Sequence, residues 1–243
     1  MRRRELLKCA LASALVAPPL LRRFARASQL PAEVAGVRIP QTPRALAAAA
    51  YARTSCPAFL FNHSMRTYLF GALQLRGAQH EYRAEDAFIS AAFHDLGLLP
   101  AFETPKGSFE TDGADAAERW ALSHEGSAVE ADRIWHAVQM HDGPWALTRR
   151  QGSEARLVAL GAGIDVYGPD PGELEPRALE EVLAAFPRLD FKRQFTALLS
   201  AHCERKPNSQ RATWLEGLCR AHAAPAPDDD AVAKHIAAAA FEE

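Results

Sequence analysis

The sequence predicts an all-α fold, a globular helical bundle without a substantial sheet. Three observations lead there. Apolar residues recur at steps of three and four, as in Phe61, Met65, Tyr68, Leu69 and Ala72. No alternating strand pattern of useful length interrupts them, and no internal repeat is present. The 243 residues are 48% hydrophobic, enough for one sizeable core.

Residues 1–27 read as an export signal. A basic start precedes the largely apolar Cys9 to Leu21, which is too short and too broken by Pro18-Pro19 to span a membrane. Ala25-Arg26-Ala27 offers small residues before a cut. Arg3-Arg4-Glu5-Leu6-Leu7-Lys8 resembles the twin-arginine motif. That implies the twin-arginine export machinery as a partner, a periplasmic destination, and no stable membrane insertion after cleavage. Residues 28–41 carry prolines and no helical period, and are expected to form an extended arm.

The helical domain is expected over 42–223. Thr42-Pro43 pairs an N-cap with Pro at the first helical position, opening a helix to about Arg53. A second runs from Pro57 to Leu75, ended by Gly77. A third runs from Glu85 to Leu96, stopped by Gly97. Pro100, Pro105 and Gly107 mark a loop. Further helices follow over Asp112–Leu122, Ser127–Met140 with the S-x-x-E capping pattern of Ser127 and Glu130, and Ser153–Val166. Pro176–Phe186, Asp190–Cys203 and Arg211–His222 complete the domain. Gly161 and Gly163 suggest close packing of the Ser153–Val166 helix. Residues 224–243 read as a linker and a short C-terminal helix.

Residues 1–27 carry a net charge of +6 and the remainder −8, within a total of −2. An acidic body lacks the clustered Lys and Arg that a phosphate backbone requires, so nucleic acid is excluded as a partner. A small uncharged or cationic ligand, or a phosphoester held mainly by metal, stays open. Of the four cysteines, Cys56, Cys203 and Cys219 lie outside the signal. Free buried thiols are the expected state, with Cys203–Cys219 the simplest bridge if one forms.

His94 and Asp95 stand side by side at the end of an apolar helix, in Ala91-Ala92-Phe93-His94-Asp95-Leu96-Gly97. Neutral imidazole and carboxylate are ligands for zinc, iron and manganese. Adjacent helical residues project about 100° apart, so both reach one ion only at a helix end. His63 lies on the preceding helix. Asp165 is the one carboxylate in the apolar Gly161–Val166 stretch, and buried without a partner it would be costly. Singly, each residue has a plain structural reading. Together, His63, His94, Asp95 and Asp165 form a candidate ligand set on three helices. His136 and His141 are five apart and do not share a face, so one metal is expected rather than two.

The pattern His … His-Asp … Asp on an all-α scaffold resembles the HD-domain metal-dependent hydrolases, over about His63 to Asp165. Phe61-Asn62-His63-Ser64-Met65-Arg66-Thr67-Tyr68-Leu69-Phe70-Gly71 is similar to the first-ligand helix of the cyanamide hydratase-like branch. So are Phe109-Glu110-Thr111-Asp112-Gly113-Ala114, Trp135 to His141, and Lys206-Pro207. The resemblance implies a bundle of the HD type and one divalent ion, zinc first and iron or manganese next. The ligands would be His63, His94, Asp95 and Asp165.

An ion of this kind makes bound water more acidic. The attack would fall on a nitrile-like carbon, as the branch implies, or on phosphorus, as in the wider family. Asp95 is a candidate base. His141 is a candidate for orienting substrate or passing a proton, beside the plainer reading of a helix-end His against the dipole. Glu110 and Asp112 are candidates to support a ligand His, although N-capping is the preferred role for Asp112. Phe102 and Trp145 are candidate pocket walls, and Arg66 a candidate partner for a carboxylate. His124 reads as surface.

The expected function is a metal-dependent enzyme using activated water on a small-molecule substrate. The alternatives are a phosphohydrolase acting on a nucleotide or phosphoester, and a non-enzymatic periplasmic metal-binding helical protein. Oligomeric state stays open.

Overall fold

Val34, Val37 and Ile39 alternate inward along the arm, and the chain between them folds back on itself. Ala35 and Gly36 take φ of 51° and 72°, the pair of positive values that a two-residue hairpin turn requires. The result is an antiparallel pair, β1 (Glu33–Val34) and β2 (Val37–Arg38). The Tyr68 hydroxyl donates to Arg38 O at 3.1 Å, and Arg76 donates to Gly36 O at 3.1 Å, fastening the hairpin to the helices. The computed structural model describes residues 30–78, 80–170, 173–210 and 213–222; the expected export signal and the C-terminal tail helix lie outside them. The described residues from Ala32 onward form one compact unit.

Helix α1 (Pro43–Ser55) starts as its sequence demands, with Thr42 Oγ1 accepting from Ala45 N and Pro43 in the first turn. Its inner face is Ala45, Ala48, Ala49 and Ala52, small enough for close approach. Helix α2 (Ala58–Gly77) is buried around nearly its whole circumference, which makes it the central helix of the core. Helix α3 (Ala84–Phe93) ends three residues earlier than the pattern predicts. His94 and Asp95 then lead into a 3-10 turn at Leu96–Leu98.

Helix α4 (Phe109–Ser123) begins before the expected Asp112, because Ser108 is the N-cap and accepts from Thr111 N at 3.3 Å. Asp112 is therefore inside the helix, where it accepts from Lys206 Nζ at 2.6 Å and Thr104 N at 3.0 Å. This corrects the capping role: a buried ion pair and a loop tie claim the carboxylate instead. Helix α5 (Ala128–Gln139) carries the Ser127–Glu130 capping box as read. There follow α6 (Trp145–Thr148), α7 (Ser153–Tyr167), α8 (Pro176–Ala185), α9 (Phe191–Arg205) and α10 (Glu216–His222). The last begins later than the expected Arg211. Cys203 and Cys219 form a disulfide between α9 and α10, so the expected free thiols are corrected there; Cys56 is free. Among the described residues the sheet is the two-stranded hairpin alone, and the fold class is all-α. No helix among them is long and apolar enough to cross a membrane.

The site is set by α2 and α7. A Cβ on Gly161 would fall 1.8 Å from Thr67 O, and one on Gly71 would fall 2.0 Å from Leu157 O. The two backbones touch at both points. One helical step beyond, in the same antiparallel register, Asp165 meets His63. By contrast, a Cβ on Gly163 meets nothing within 4 Å.

These three glycines give a test within one crossing. Gly161→Ala is expected to destabilise the fold by more than about 2 kcal/mol, because backbone rather than a movable side chain stands in the way. Gly163→Ala is expected to stabilise by up to about 1 kcal/mol through helix propensity. Urea denaturation of the two variants checks the opposite signs; equal shifts would contradict the assigned close approach.

Candidate metal centre

His63, His94 and Asp95 are nearly inaccessible to solvent and lie together. His63 comes from the middle of α2. His94 sits just past the last turn of α3 with φ −57° and ψ −32°, and Asp95 departs from the helix at φ −102° and ψ 7°. That departure is what lets neighbours in sequence aim at one point. Gly97 and Gly113 permit it: a Cβ on Gly97 would fall 1.9 Å from Phe109 O, and one on Gly113 would fall 3.1 Å from His94 O.

The tautomers follow from the partners. His94 Nδ1 is 2.8 Å from Ala91 O, and His141 Nδ1 is 2.6 Å from Val138 O. A carbonyl only accepts, so both Nδ1 atoms donate and each neutral ring keeps its lone pair at Nε2. His63 Nδ1 donates to Asp165 Oδ2 at 2.7 Å, with the same consequence.

Three acceptors therefore converge. His63 Nε2 and His94 Nε2 are 3.1 Å apart, and Asp95 Oδ2 is 3.3 Å from each. Asp95 Oδ2 is buried and has no hydrogen-bond donor. Facing lone pairs repel, and an orphaned carboxylate oxygen in the interior is costly. One small cation satisfies all three. Ligands around a tetrahedral ion with bonds of about 2.0–2.1 Å stand about 3.3–3.4 Å apart, and around an octahedral ion somewhat closer. The observed triangle suits a divalent ion without selecting among zinc, iron and manganese.

Electrostatics agree at Asp95 and His94. Burial would push the Asp95 carboxyl up, but the His94 and His63 rings beside it hold it well below the usual carboxylate range. Burial pushes His94 down, only partly offset by Asp95, which favours the neutral ring that a metal needs. His63 goes the other way: burial lowers it, and the Asp165 and Asp95 carboxylates together raise it.

Asp165 stands one bond further out than expected. It meets His63 at Nδ1, on the ring edge away from Nε2. Its oxygens are also taken by Arg66 Nε and Nη2, both at 2.7 Å, and by Arg188 Nη1 at 2.8 Å. Arg66, fully buried, also donates to Phe186 O at 3.0 Å. This carboxylate orients the His63 ring and makes it more basic, rather than adding a fourth atom to the triangle. Burial would raise the Asp165 pKa, but His63 and Arg66 hold it well below normal.

The triangle opens into a cavity of about 240 Å³. His141 lines it, with Nε2 3.7 Å from Asp95 Oδ1. Phe109, Leu160, Phe195 and the expected Trp145 supply apolar wall. Phe102 does not: it faces a separate groove beside Tyr51 and Trp120. His124 stacks on Trp120 at the surface, centroids 4.0 Å apart. Asp142, Tyr167 and Trp214 also line the cavity and had no motif to announce them. Asp142 adjoins His141 in sequence, which was the available hint.

No family model matches this chain, and no match was found among curated proteins. What stands is a helical fold with a buried His63–His94–Asp95 group able to hold a metal ion.

His94→Ala and Asp95→Ala are expected to abolish stoichiometric metal binding, whereas Asp165→Asn should weaken it by about 10–100-fold and leave it measurable. Competition with a chromophoric chelator reads all three. Complete loss in Asp165→Asn would return that residue to the ligand set.

Proposed function

We propose that this chain is a metal-dependent enzyme of the HD type that adds water to a small uncharged substrate carrying a nitrile- or cyanamide-like group. One observation carries the reading: the triangle of unsatisfied acceptors opens into a small, largely apolar cavity whose lining, among the described residues, includes Asp95 and Asp142 and no Lys or Arg. A phosphoester would bring negative charge against those carboxylates with no side-chain cation among the described residues of the lining to receive it, so the phosphohydrolase reading has less support. A purely structural metal has no use for an adjoining cavity.

The divalent ion, when bound by His63, His94 and Asp95, supplies Lewis acidity that makes water more acidic and polarises the substrate. The protein's residues do the rest. Asp165 holds the His63 ring in place through Nδ1, and the two arginines hold Asp165. His141 has its Nδ1 committed to Val138 O, so Nε2 faces the cavity ready to take a proton from the attacking water. Asp95 Oδ1 lies 3.7 Å from that Nε2. The sequence reading gave Asp95 a share in base chemistry. Its anionic, buried carboxylate supports the role of ligand and electrostatic partner, with His141 the better placed acceptor. Export by the twin-arginine machinery remains part of the proposal, and the Cys203–Cys219 disulfide suits an oxidising compartment.

The test is a side-by-side assay of metal-loaded protein on cyanamide, simple nitriles and an aryl phosphate. Urea or amide is the expected product, with little phosphate release. His141→Gln should lower kcat by about 10²–10⁴-fold while keeping the metal. Turnover of the phosphate and not the nitriles would sink the reading.

A further inference from the structure

Packing explains Gly161 and does not explain Gly163. A glycine inside a helix is unfavourable, so each needs a reason. At Gly161 the backbone of α2 supplies it, with Thr67 O only 1.8 Å from where a Cβ would fall. At Gly163 no described atom stands within 4 Å of such a Cβ. What lies there is the cavity, which Gly163 lines. Ala159, Ala162 and Val166 share that face of α7 at three- and four-residue steps and line it too. The helix that brings Asp165 to His63 therefore turns small side chains toward the space beside the triangle. Much of the remaining wall is aromatic. Phe109 and Phe195 are buried, and the Phe195 ring lies 5.4 Å from that of His63. Trp145, Tyr167 and Trp214 line the same cavity yet are exposed, and three exposed aromatics on one cavity mark a contact surface. The Trp214 indole N–H donates to the Asp142 carboxylate, which holds that ring in place. At the reacting end, His63, His94, Asp95 and His141 each stand within 3.7 Å of another of the four, and the buried, unpartnered Asp95 Oδ2 independently marks a ligand site. The cavity holds about 240 Å³. Cyanamide, little larger than a pair of waters at about 30 Å³ each, fills a small part of that, whereas an apolar cavity of about 150 Å³ already takes a benzene ring.

We propose that the preferred substrate is an aryl nitrile, and that Gly163 makes the room for its ring. The nitrile half of this rests on the hydratase reading above; the seat for the ring does not. The ring lies along the Ala159–Gly163 face of α7 with Phe109 and Phe195 in the surrounding wall, its nitrile toward the triangle and its far edge toward the exposed aromatics. Offset and edge-to-face contacts are what such walls offer a flat ring. Gly163 is then a specificity-determining residue, acting through the side chain it lacks. The chemistry at the metal end is that of any nitrile: the oxygen of water bonds to carbon, one π pair passes to nitrogen, and both hydrogens of the water finish on nitrogen. The product is the aryl amide, and no electrons are gained or lost.

Calorimetric titration of full-length, metal-loaded protein with benzamide, cyclohexanecarboxamide and acetamide reads the seat without turnover. Benzamide is expected to bind about 10–10²-fold more tightly than acetamide, from the ring surface it buries. Gly163→Val should weaken benzamide at least about tenfold. Gly163→Ala should weaken it less, in a protein at least as stable as the wild type, so a folding defect cannot account for the loss. In steady-state assays the ratio of kcat/KM for benzonitrile over cyanamide should fall at least about tenfold in Gly163→Val. Benzamide binding no tighter than acetamide overturns the ring seat, and hydration of cyanamide by that same protein would leave the hydratase reading standing. Cyclohexanecarboxamide held as tightly as benzamide overturns the flat ring. Unchanged benzamide affinity in both variants overturns the role of Gly163. Tight benzamide binding, lost in Gly163→Val, by a protein that turns over no nitrile supports the ring seat and overturns the hydratase reading instead.

Discussion

The backbone contact between α2 and α7 is the constraint on which the site depends. At Gly71 and Gly161 there is no room for a Cβ, so the helices meet at main-chain distance. Four residues separate successive meeting points along each helix, and the same step carries the register to His63 and Asp165. The Asp165–Arg66 pair is thereby sealed in the core, with the half-buried Arg188 reaching Asp165 from outside. A buried ion pair is weak evidence for stability. Here its evident effect is orientation, since it fixes one imidazole ring so that a lone pair points inward.

That inward lone pair creates the demand for a cation. The same pattern recurs at His94, whose Nδ1 is spent on its own helix, and Asp95 completes the triangle. Both imidazoles are hydrogen-bonded on their outer sides and present their acceptors to the same point as Asp95 Oδ2, an arrangement that suits an ion of small radius.

Much of this could be read from the residues. The helical periodicity placed every long helix within a few residues, because that signal is local. The His94-Asp95 pair and His63 were legible because ligand chemistry restricts the residue types. What escaped was set by contacts distant in the chain. Asp112 looks like a cap until Lys206, 94 positions away, is brought to it. Asp165 looks like a ligand until Arg66 and Arg188 claim its oxygens, although Arg66, three residues past His63, was a visible partner for some carboxylate. Asp142 gains its place only through Trp214, 72 positions on. Ala35-Gly36 lacks the Asn-Gly or Asp-Gly that usually marks a hairpin, so the arm hid its turn.

The disulfide stands apart from the ligand triangle in the chain. Every atom of the triangle comes from residues 63 to 95, and none from the stretch between Cys203 and Cys219. That covalent ring instead carries Lys206, Gln210 and Trp214, which brace Asp112, Glu110 and Asp142 on the outer wall. Closing a loop of that size removes freedom from the open chain, worth about 3 kcal/mol by the loop-entropy argument. The ligand triangle and the disulfide-braced outer wall are therefore drawn from separate stretches of the chain.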